Sequence, residues 1–415
     1  MRQISKEGVV KAAKELKKIT VRREIHDASI DVAKSMKSIS ASSTYDQIVS
    51  EADKIYNEKI NLYEIGSSNP ENLFDDMEDW IEDRGNNPID EFGLMGPHKR
   101  INECYGSLLR PGNITVVVAR AGVGKTQFCM DFCTKVSAIN NNVPILHFDN
   151  GEMSKEELIV RQCSALSGVP MHLLETGRWR QAGQEVIDKV RDTWKKVKDF
   201  KFFYYNVAGH SIESMINIIR RFYFSEVGRG NKMIFSFDYI KTSYEKQNGL
   251  SSWETVGRMV DKFKQLIQKE LCFSEGPTVS MLTSVQSNRL GITNNRSSDN
   301  IVDDESVVSL SDQITQFCSH LFLLRKKTMD EIQSEPEDFG THKLISLKYR
   351  WLGRDVHRAL QPVEMPDGTK RNNYVNLHME NFGIEEKGDL QDLVDNLNSE
   401  GVGAVEGFLD ELPNI

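Results

Sequence analysis

Ala119-Arg-Ala-Gly-Val-Gly-Lys-Thr126 has the residue types and order that hold a polyphosphate. Gly122 and Gly124 let the backbone turn so that its N–H groups converge on an anion. A helix opening just after them adds the positive end of its dipole. Ala121, Gly122, Val123, Gly124, Lys125, Thr126 and Gln127 form the expected nucleotide cradle. Lys125 is expected to reach the β- and γ-phosphates of a nucleoside triphosphate such as ATP, and the Thr126 hydroxyl to hold Mg²⁺. The first position departs from the usual pattern, with Ala119 in place of Gly, although the last four residues carry most of the chemistry. A chance glycine-rich turn is the alternative. Against it stand Ile114-Thr-Val-Val-Val118, which reads as a buried parallel strand, and Gln127-Phe-Cys-Met-Asp-Phe-Cys133, which reads as a helix.

Three further polar residues end apolar runs. Asp238 follows Met233-Ile-Phe-Ser-Phe237, where a P-loop protein places the second residue that organises Mg²⁺. Glu152 follows Ile145-Leu-His-Phe148, close enough to the P-loop strand to polarise the attacking water. Asp149 is the rival for that role, and Ser154 with Glu157 three residues on reads as a helix cap. Gln286 ends Thr278-Val-Ser-Met-Leu-Thr-Ser-Val285, where an amide senses a γ-phosphate without titrating. The loop after Asp238 carries Lys241 and Lys246, and the loop after Gln286 carries Arg289 and Arg296. These four cations read either as contacts to nucleic-acid phosphates or as ordinary solvated loop residues. Lys348 and Arg350, spaced by one residue after Leu344–Leu347, point to one side. They lie too far along the sheet to be assigned to their own P-loop, so they read as charge stabilisers for a neighbour's γ-phosphate.

The elements that must position these residues follow from hydrophobic periodicity. Apolar strands recur at Ile114–Ala119, Pro144–Phe148, Phe202–Tyr205, Lys232–Phe237, Thr278–Ser284, His320–Leu324 and Leu344–Leu347, with helical segments between the earlier ones. That alternation predicts an α/β fold with a mostly parallel sheet and ligands at the strands' carboxyl ends, spanning residues 93–384. Residues 1–62 read as an α-helical hairpin broken at Ser40–Thr44, too small to bury much core alone. Residues 63–92 read as a linker. Its helix is expected to start at Asn69-Pro70 and end at Gly85, with Leu73, Phe74, Met77, Trp80 and Ile81 on one face and acids on the other. It is expected either to dock on a neighbouring subunit or to fold back on its own domain.

Composition narrows the class. With 39% apolar and 27% charged residues, the chain reads as a soluble globular protein, with no membrane span and no apolar signal core at its start. The six cysteines are scattered without a C-x-x-C pair, which predicts a reduced cytosolic protein without a zinc site. The net charge of −9 is concentrated at one end: residues 385–415 hold nine acids and one base, or −8, leaving about −1 on the other 384 residues. Whole-chain charge therefore does not exclude DNA, and the acidic stretch 385–415 is expected to be disordered.

The ordered series of motifs resembles that of the DnaB-type, RecA-like hexameric replicative helicases. It starts at Gly93-Leu-Met-Gly96 and Leu109-Arg-Pro-Gly112. It continues through the P-loop, Glu152-Met-Ser154, Leu166-Ser-Gly168 with Thr176-Gly-Arg178, Phe237-Asp-Tyr239, Gln286-Ser-Asn-Arg289 and Lys348-Tyr-Arg350, covering roughly residues 93–360. The resemblance implies a RecA-like P-loop ATPase preceded by an α-helical hairpin and a linker helix that docks on the next subunit. It implies ATP and Mg²⁺, Glu152 as activator of water, and Lys348 and Arg350 acting on the adjacent subunit's ATP. The loops after Asp238 and Gln286 would line a channel for single-stranded DNA. A homo-oligomer, expected to be a hexamer, is implied, as are partners such as primase, a loader or other replisome proteins. The expected location is the cytosol of a bacterium, or of an infected host for a phage-encoded member, which the short divergent form resembles. Residues 1–62 are expected to leave no room for the globular first part of the family's N-terminal domain, which runs against primase recruitment through it, and Asp303-Asp-Glu305 in the second loop runs against a DNA clamp. A RecA/RadA-like recombination ATPase and a non-catalytic, nucleotide-gated loader or adaptor are the other readings. A pure switch would not need both Glu152 and the Lys348/Arg350 pair.

Overall fold

The computed structural model describes residues 6–44, 47–49, 51–55, 72, 74–240, 252–273, 275–287, 312–335 and 339–398. They divide into two compact units, residues 1–89 with 210–224, and residues 90–209 with 225–415.

In the smaller unit, helix α1 (Lys6–Ser38) runs unbroken for 33 residues. A turn then leads to a second helical stretch over the described part of 47–55. Ala28 is buried, whereas Leu16, Ile19 and Ile30 remain exposed. The linker helix α2 (Met77–Asn86) differs from its expected bounds. It begins after a turn at residues 74–76, and Gly85 lies inside it, continuing the helix instead of ending it. A single glycine costs a helix only ~1 kcal/mol, which the preceding turns absorb. Phe74, Met77, Trp80 and Ile81 are all more than half exposed, so the expected apolar face is present and uncovered.

The larger unit is built on a nine-stranded sheet. Its strands are β1 (Ile114–Ala119), β2 (Ile145–Asp149), β3 (Phe202–Asn206), β4 (Met233–Ile240), β5 (Val279–Gln286), β6 (His320–Lys326), β7 (His342–Tyr349), β8 (Tyr374–Glu380) and β9 (Gly383–Asp389). In space they run β9-β8-β7-β6-β1-β5-β4-β2-β3. From β6 to β3 neighbouring strands are parallel, while β7, β8 and β9 each pair antiparallel with their neighbour. All seven expected strands are present. The central β1 is buried at every position, as a parallel strand covered on both faces must be. Helix α4 (Lys125–Ile139) packs Phe128, Cys129, Phe132 and Cys133 into the core with Val117, Leu282 and Phe322. The first of its aromatics stacks on the second at 5.5 Å. The core cysteines Cys104, Cys129, Cys133 and Cys318 are buried and form no disulfide. Beside it, helix α3 (Lys99–Tyr105) contributes Ile101, Cys104 and Tyr105 to the same core, and its N-cap His98 packs against Phe132 with ring centres 5.9 Å apart.

The C-terminal boundary needs correction. Residues 385–398, expected to open a disordered tail, complete strand β9 and form a helix over 390–398. Asp389 is fully buried, and its carboxylate meets Arg100 at 2.7 Å and Arg358 at 3.0 Å. Leu390, Leu393 and Val394 are buried as well. The acids counted as a solvated run are partly the charge partners that seat this segment. Residues 399–415 lie outside the described residues.

Candidate active site: a nucleotide cleft and a distant pair of cations

Strand β1 hands the chain to the P-loop at Ala119, which pairs with Gln286 as the last residue of an extended strand. A position of that kind needs no positive φ, so alanine is tolerated where glycine is usual. The glycines are needed further on. Gly122 has φ +75° and Gly124 φ +108°, in the left-handed region costly to any residue with a Cβ. Gly124 also stands at the N-cap of α4 and offers no side chain to the first-turn N–H groups, which leaves them for an anion.

These residues line a cleft of about 550 Å³ together with Glu152, Tyr239 and Gln286. The structure thus brings together the expected cradle from Ala121 to Gln127 with the candidate base and sensor. Asp238 lies at the cleft's floor, 1% exposed. Its Oδ1 accepts the Ser284 hydroxyl at 2.7 Å, and its Oδ2 is buried with no hydrogen-bond partner. Burial pushes this carboxyl above its ordinary value, while the Thr126 and Ser284 hydroxyls and the Lys125 ammonium pull it back. An orphaned carboxylate oxygen beside a threonine hydroxyl is the hard-oxygen donor set that suits Mg²⁺. The Lys125 ammonium lies 5.2 Å from the centre of the Tyr239 ring. Burial and the neighbouring Glu152 carboxylate push the Tyr239 phenol up to about 12, so it remains a proton donor toward the cleft.

Asp149 and Glu152 are no longer equivalent. Asp149 is fully buried at the end of β2, and its Oδ1 accepts the backbone N–H groups of Gly151 (2.8 Å), Glu152 (3.0 Å) and Met153 (3.4 Å). It is the clamp of the turn. Glu152, carried on that turn, is exposed and lines the cleft. Ser154 caps helix α5 (Lys155–Ser167) by accepting the Glu157 N–H. The expected reciprocal half of the cap is replaced, because the Glu157 carboxylate accepts from Arg161 at 2.8 Å.

Lys348 and Arg350 fall at the other end of the sheet. Tyr349 pairs with His320, and His320 with Thr115 at the start of β1, so roughly 13 Å of strand separates their level from Ala119. Because β7 runs antiparallel, its first residue, His342, lines the cleft while its last ones face away from it. Lys348 donates to the Thr315 carbonyl, and Arg350 is exposed. Lys241, Lys246, Arg289 and Arg296 lie outside the described residues.

The sequence reading missed Arg161, Lys326, His342, Met379 and Phe382, which also line the cleft. Met379 and Phe382 come from the β8–β9 hairpin, whose turn residues Asn381 and Phe382 both have positive φ, as a tight two-residue hairpin requires. The Arg161 guanidinium lies 5.0 Å from the Phe382 ring centre. The Gln127 side chain donates to the Gly383 carbonyl at 3.2 Å, which ties the P-loop helix to that hairpin. A signal for the hairpin was available: Val375, Leu377 and Met379 alternate with Asn376, His378 and Glu380 just before Asn381.

The fold and cleft are those of a RecA-like P-loop domain. Residues 93–299 match the family described as DnaB-like helicase C terminal domain. Among curated relatives, the replicative DNA helicase DnaB of Buchnera aphidicola subsp. Baizongia pistaciae is 34% identical over 119 residues, covering 27% of this chain and 24% of the relative. The protein of the same name from Helicobacter pylori is 32% identical over 111 residues, covering 27% and 22%. The match thus spans about a quarter of these relatives' length. A solved DnaB-like replicative helicase, described with its interactions with primase, superposes with a TM-score of 0.62 at 16% identity, over 91% of this chain and 78% of that one. A solved isolated ATPase domain superposes with a TM-score of 0.56 at 15% identity, over 76% and 99%. No helix among the described residues is long and apolar enough to cross a membrane.

Proposed function

We propose that the chain is the motor of a replicative DNA helicase, a ring of identical subunits that hydrolyses ATP, moves along single-stranded DNA and separates the duplex. The observation that carries this reading is the split of the catalytic set. Lys125, Thr126, Asp238, Glu152 and Gln286 share one cleft or its floor, while Lys348 and Arg350 stand at the far end of the same sheet. A cleft that Lys348 and Arg350 of the same copy do not reach, and a pair of cations at the sheet's far end, fit each other across a seam between two copies.

In this reading Lys125 and the first-turn N–H groups of α4 bind the β- and γ-phosphates. Thr126 and Asp238 would hold Mg²⁺, which neutralises phosphate charge when bound. Glu152 takes the proton of the attacking water, held in place by the turn that Asp149 clamps. Gln286 reports the γ-phosphate to the loop that follows it. Lys348 and Arg350 of the next copy stabilise the charge that develops on the transferred group. The exposed face of α2 docks on a neighbouring copy, and Lys241, Lys246, Arg289 and Arg296 contact the DNA backbone. A primase, a loader or another replisome protein is the expected partner, in the cytosol of a bacterium or of an infected host.

Mixing Lys125→Ala copies with Arg350→Ala copies tests the reading. Each variant alone should be nearly inert in DNA-stimulated ATP turnover and strand displacement, and mixtures should regain a fraction of both. Mixtures that stay inert beside a fully active isolated monomer would refute the seam.

A further inference from the structure

Arg350 is exposed and opens a closely packed loop that follows strand β7. The next residue, Trp351, lies under the Arg110 guanidinium, whose central carbon is 4.5 Å from the centre of the indole ring. The Phe92 ring also lies near that guanidinium, at 5.4 Å. His320, the first residue of β6, meets the same indole edge-on at 5.0 Å and 65°. Burial holds the His320 imidazole down at about 4, so it packs there as a neutral ring. Two residues further on, the chain lies flat on α3. A Cβ on Gly353 would fall 2.2 Å from the carbonyl oxygens of Asn102 and Glu103, so only glycine fits. The Asp355 N–H donates to the Glu103 carbonyl at 2.9 Å, and its carboxylate accepts from Arg100 at 3.0 Å. Arg354 reaches back to the Asp90 carbonyl at 3.4 Å.

Arg350 is thus an exposed cation between a strand end and a loop fixed by stacking. An exposed arginine has several rotatable bonds and loses much freedom when it must meet one phosphate, so a rigid base lowers the cost of each engagement. We propose that Trp351, stacked on Arg110 with Phe92 nearby, is a positioning residue for Arg350 in the hydrolysis reaction of the neighbouring copy. The stack begins at Phe92, where the chain enters the ATPase domain from the linker, so the aim of Arg350 is set from the linker's end. This rests on the reading of Arg350 as a residue that acts across the seam.

The test uses full-length Trp351→Ala, Trp351→Phe and Arg110→Lys, each alone and mixed with Lys125→Ala copies, with Arg350→Ala as the reference. Turnover of the alanine variant should fall on the order of 10- to 100-fold, as expected when a reacting group is misplaced by about an ångström. Its affinity for a fluorescent ATP analogue should stay unchanged, because its own cleft is untouched. Trp351→Phe should keep most activity. Arg110→Lys should share the alanine defect, since lysine keeps the charge and loses the planar stack. Mixing with Lys125→Ala copies should restore turnover, because those copies lend an intact Arg350 to intact clefts. Full turnover in Trp351→Ala or Arg110→Lys, or failure of Lys125→Ala copies to rescue either one while they do rescue Arg350→Ala, overturns the proposal. Failure to rescue Arg350→Ala itself refutes the seam, and the proposal with it.

Discussion

The Asp149 carboxylate accepts the Glu152 backbone N–H at 3.0 Å, so of two acids three residues apart one holds the turn and the other is presented by it. Glu152→Gln should therefore lower ATP turnover by on the order of 10²- to 10⁴-fold while ATP still binds. Asp149→Ala should cost less, about tenfold in turnover. It should also reduce stability by roughly 1–3 kcal/mol, because the turn's N–H groups lose their acceptor. Single-turnover kinetics beside thermal melts would check both. The reverse order of catalytic losses would assign the base to Asp149.

The orphaned Oδ2 of Asp238 bears on metal dependence. Removing divalent cations with EDTA should weaken nucleotide binding by the wild-type chain. Asp238→Asn should bind weakly with or without Mg²⁺, since an amide brings no charge to the ion. A variant whose affinity still responds to Mg²⁺ as the wild type does would place the ion elsewhere.

A buried charge cluster braces the strands beside the cleft. Glu331 accepts two bonds from Arg325, at 2.7 and 2.8 Å, and one from Lys343 at 2.9 Å, all three side chains nearly inaccessible. Burial alone would push the Glu331 carboxyl up, but the two cations outweigh it and hold it well below the ordinary value. Its contribution is present above the ordinary glutamate range, ~4.3, and is lost as pH falls through the folded value. Glu331→Gln leaves the buried Arg325 without its carboxylate, while Lys343 keeps Glu335 at 3.1 Å, and should destabilise the domain by about 3 kcal/mol in chemical denaturation. A change under ~1 kcal/mol would show that the cluster is not load-sharing.

Four histidines predict the acid response. Burial holds His98, His147, His320 and His342 at about 4. An unfolded imidazole titrates near ~6.5, so between those values the unfolded chain binds protons that the folded one does not. Stability then rises with pH across that window and is lost as pH falls from about 6.5 toward 4. Melting temperature should drop from pH 7 to pH 5. Flat melting temperatures over that range would contradict the burial of these rings.

Much of the site was legible because its chemistry is local. The P-loop's glycines, Lys125 and Thr126 are contiguous; Asp238 closes a visible apolar run, although its strand continues to Ile240, and Gln286 ends another. Glu152 was legible only as one of a pair with Asp149, because spacing along a chain does not reveal which carboxylate is spent on backbone N–H groups. The C-terminal hairpin was hidden by charge. Glu385, Glu386 and Asp389 resemble a solvated run until Arg100 and Arg358, far away in sequence, are seen to meet Asp389.

By itself, the order of residues determined the α/β class, the phosphate cradle and the seven strands beneath it, since periodicity and glycine placement act over short range. Tertiary structure alone decided that β7 runs antiparallel. That direction sets His342 at the cleft and Arg350 at the opposite end of the same strand. Strand direction depends on which neighbour supplies the ladder of hydrogen bonds, a long-range choice that no local pattern encodes.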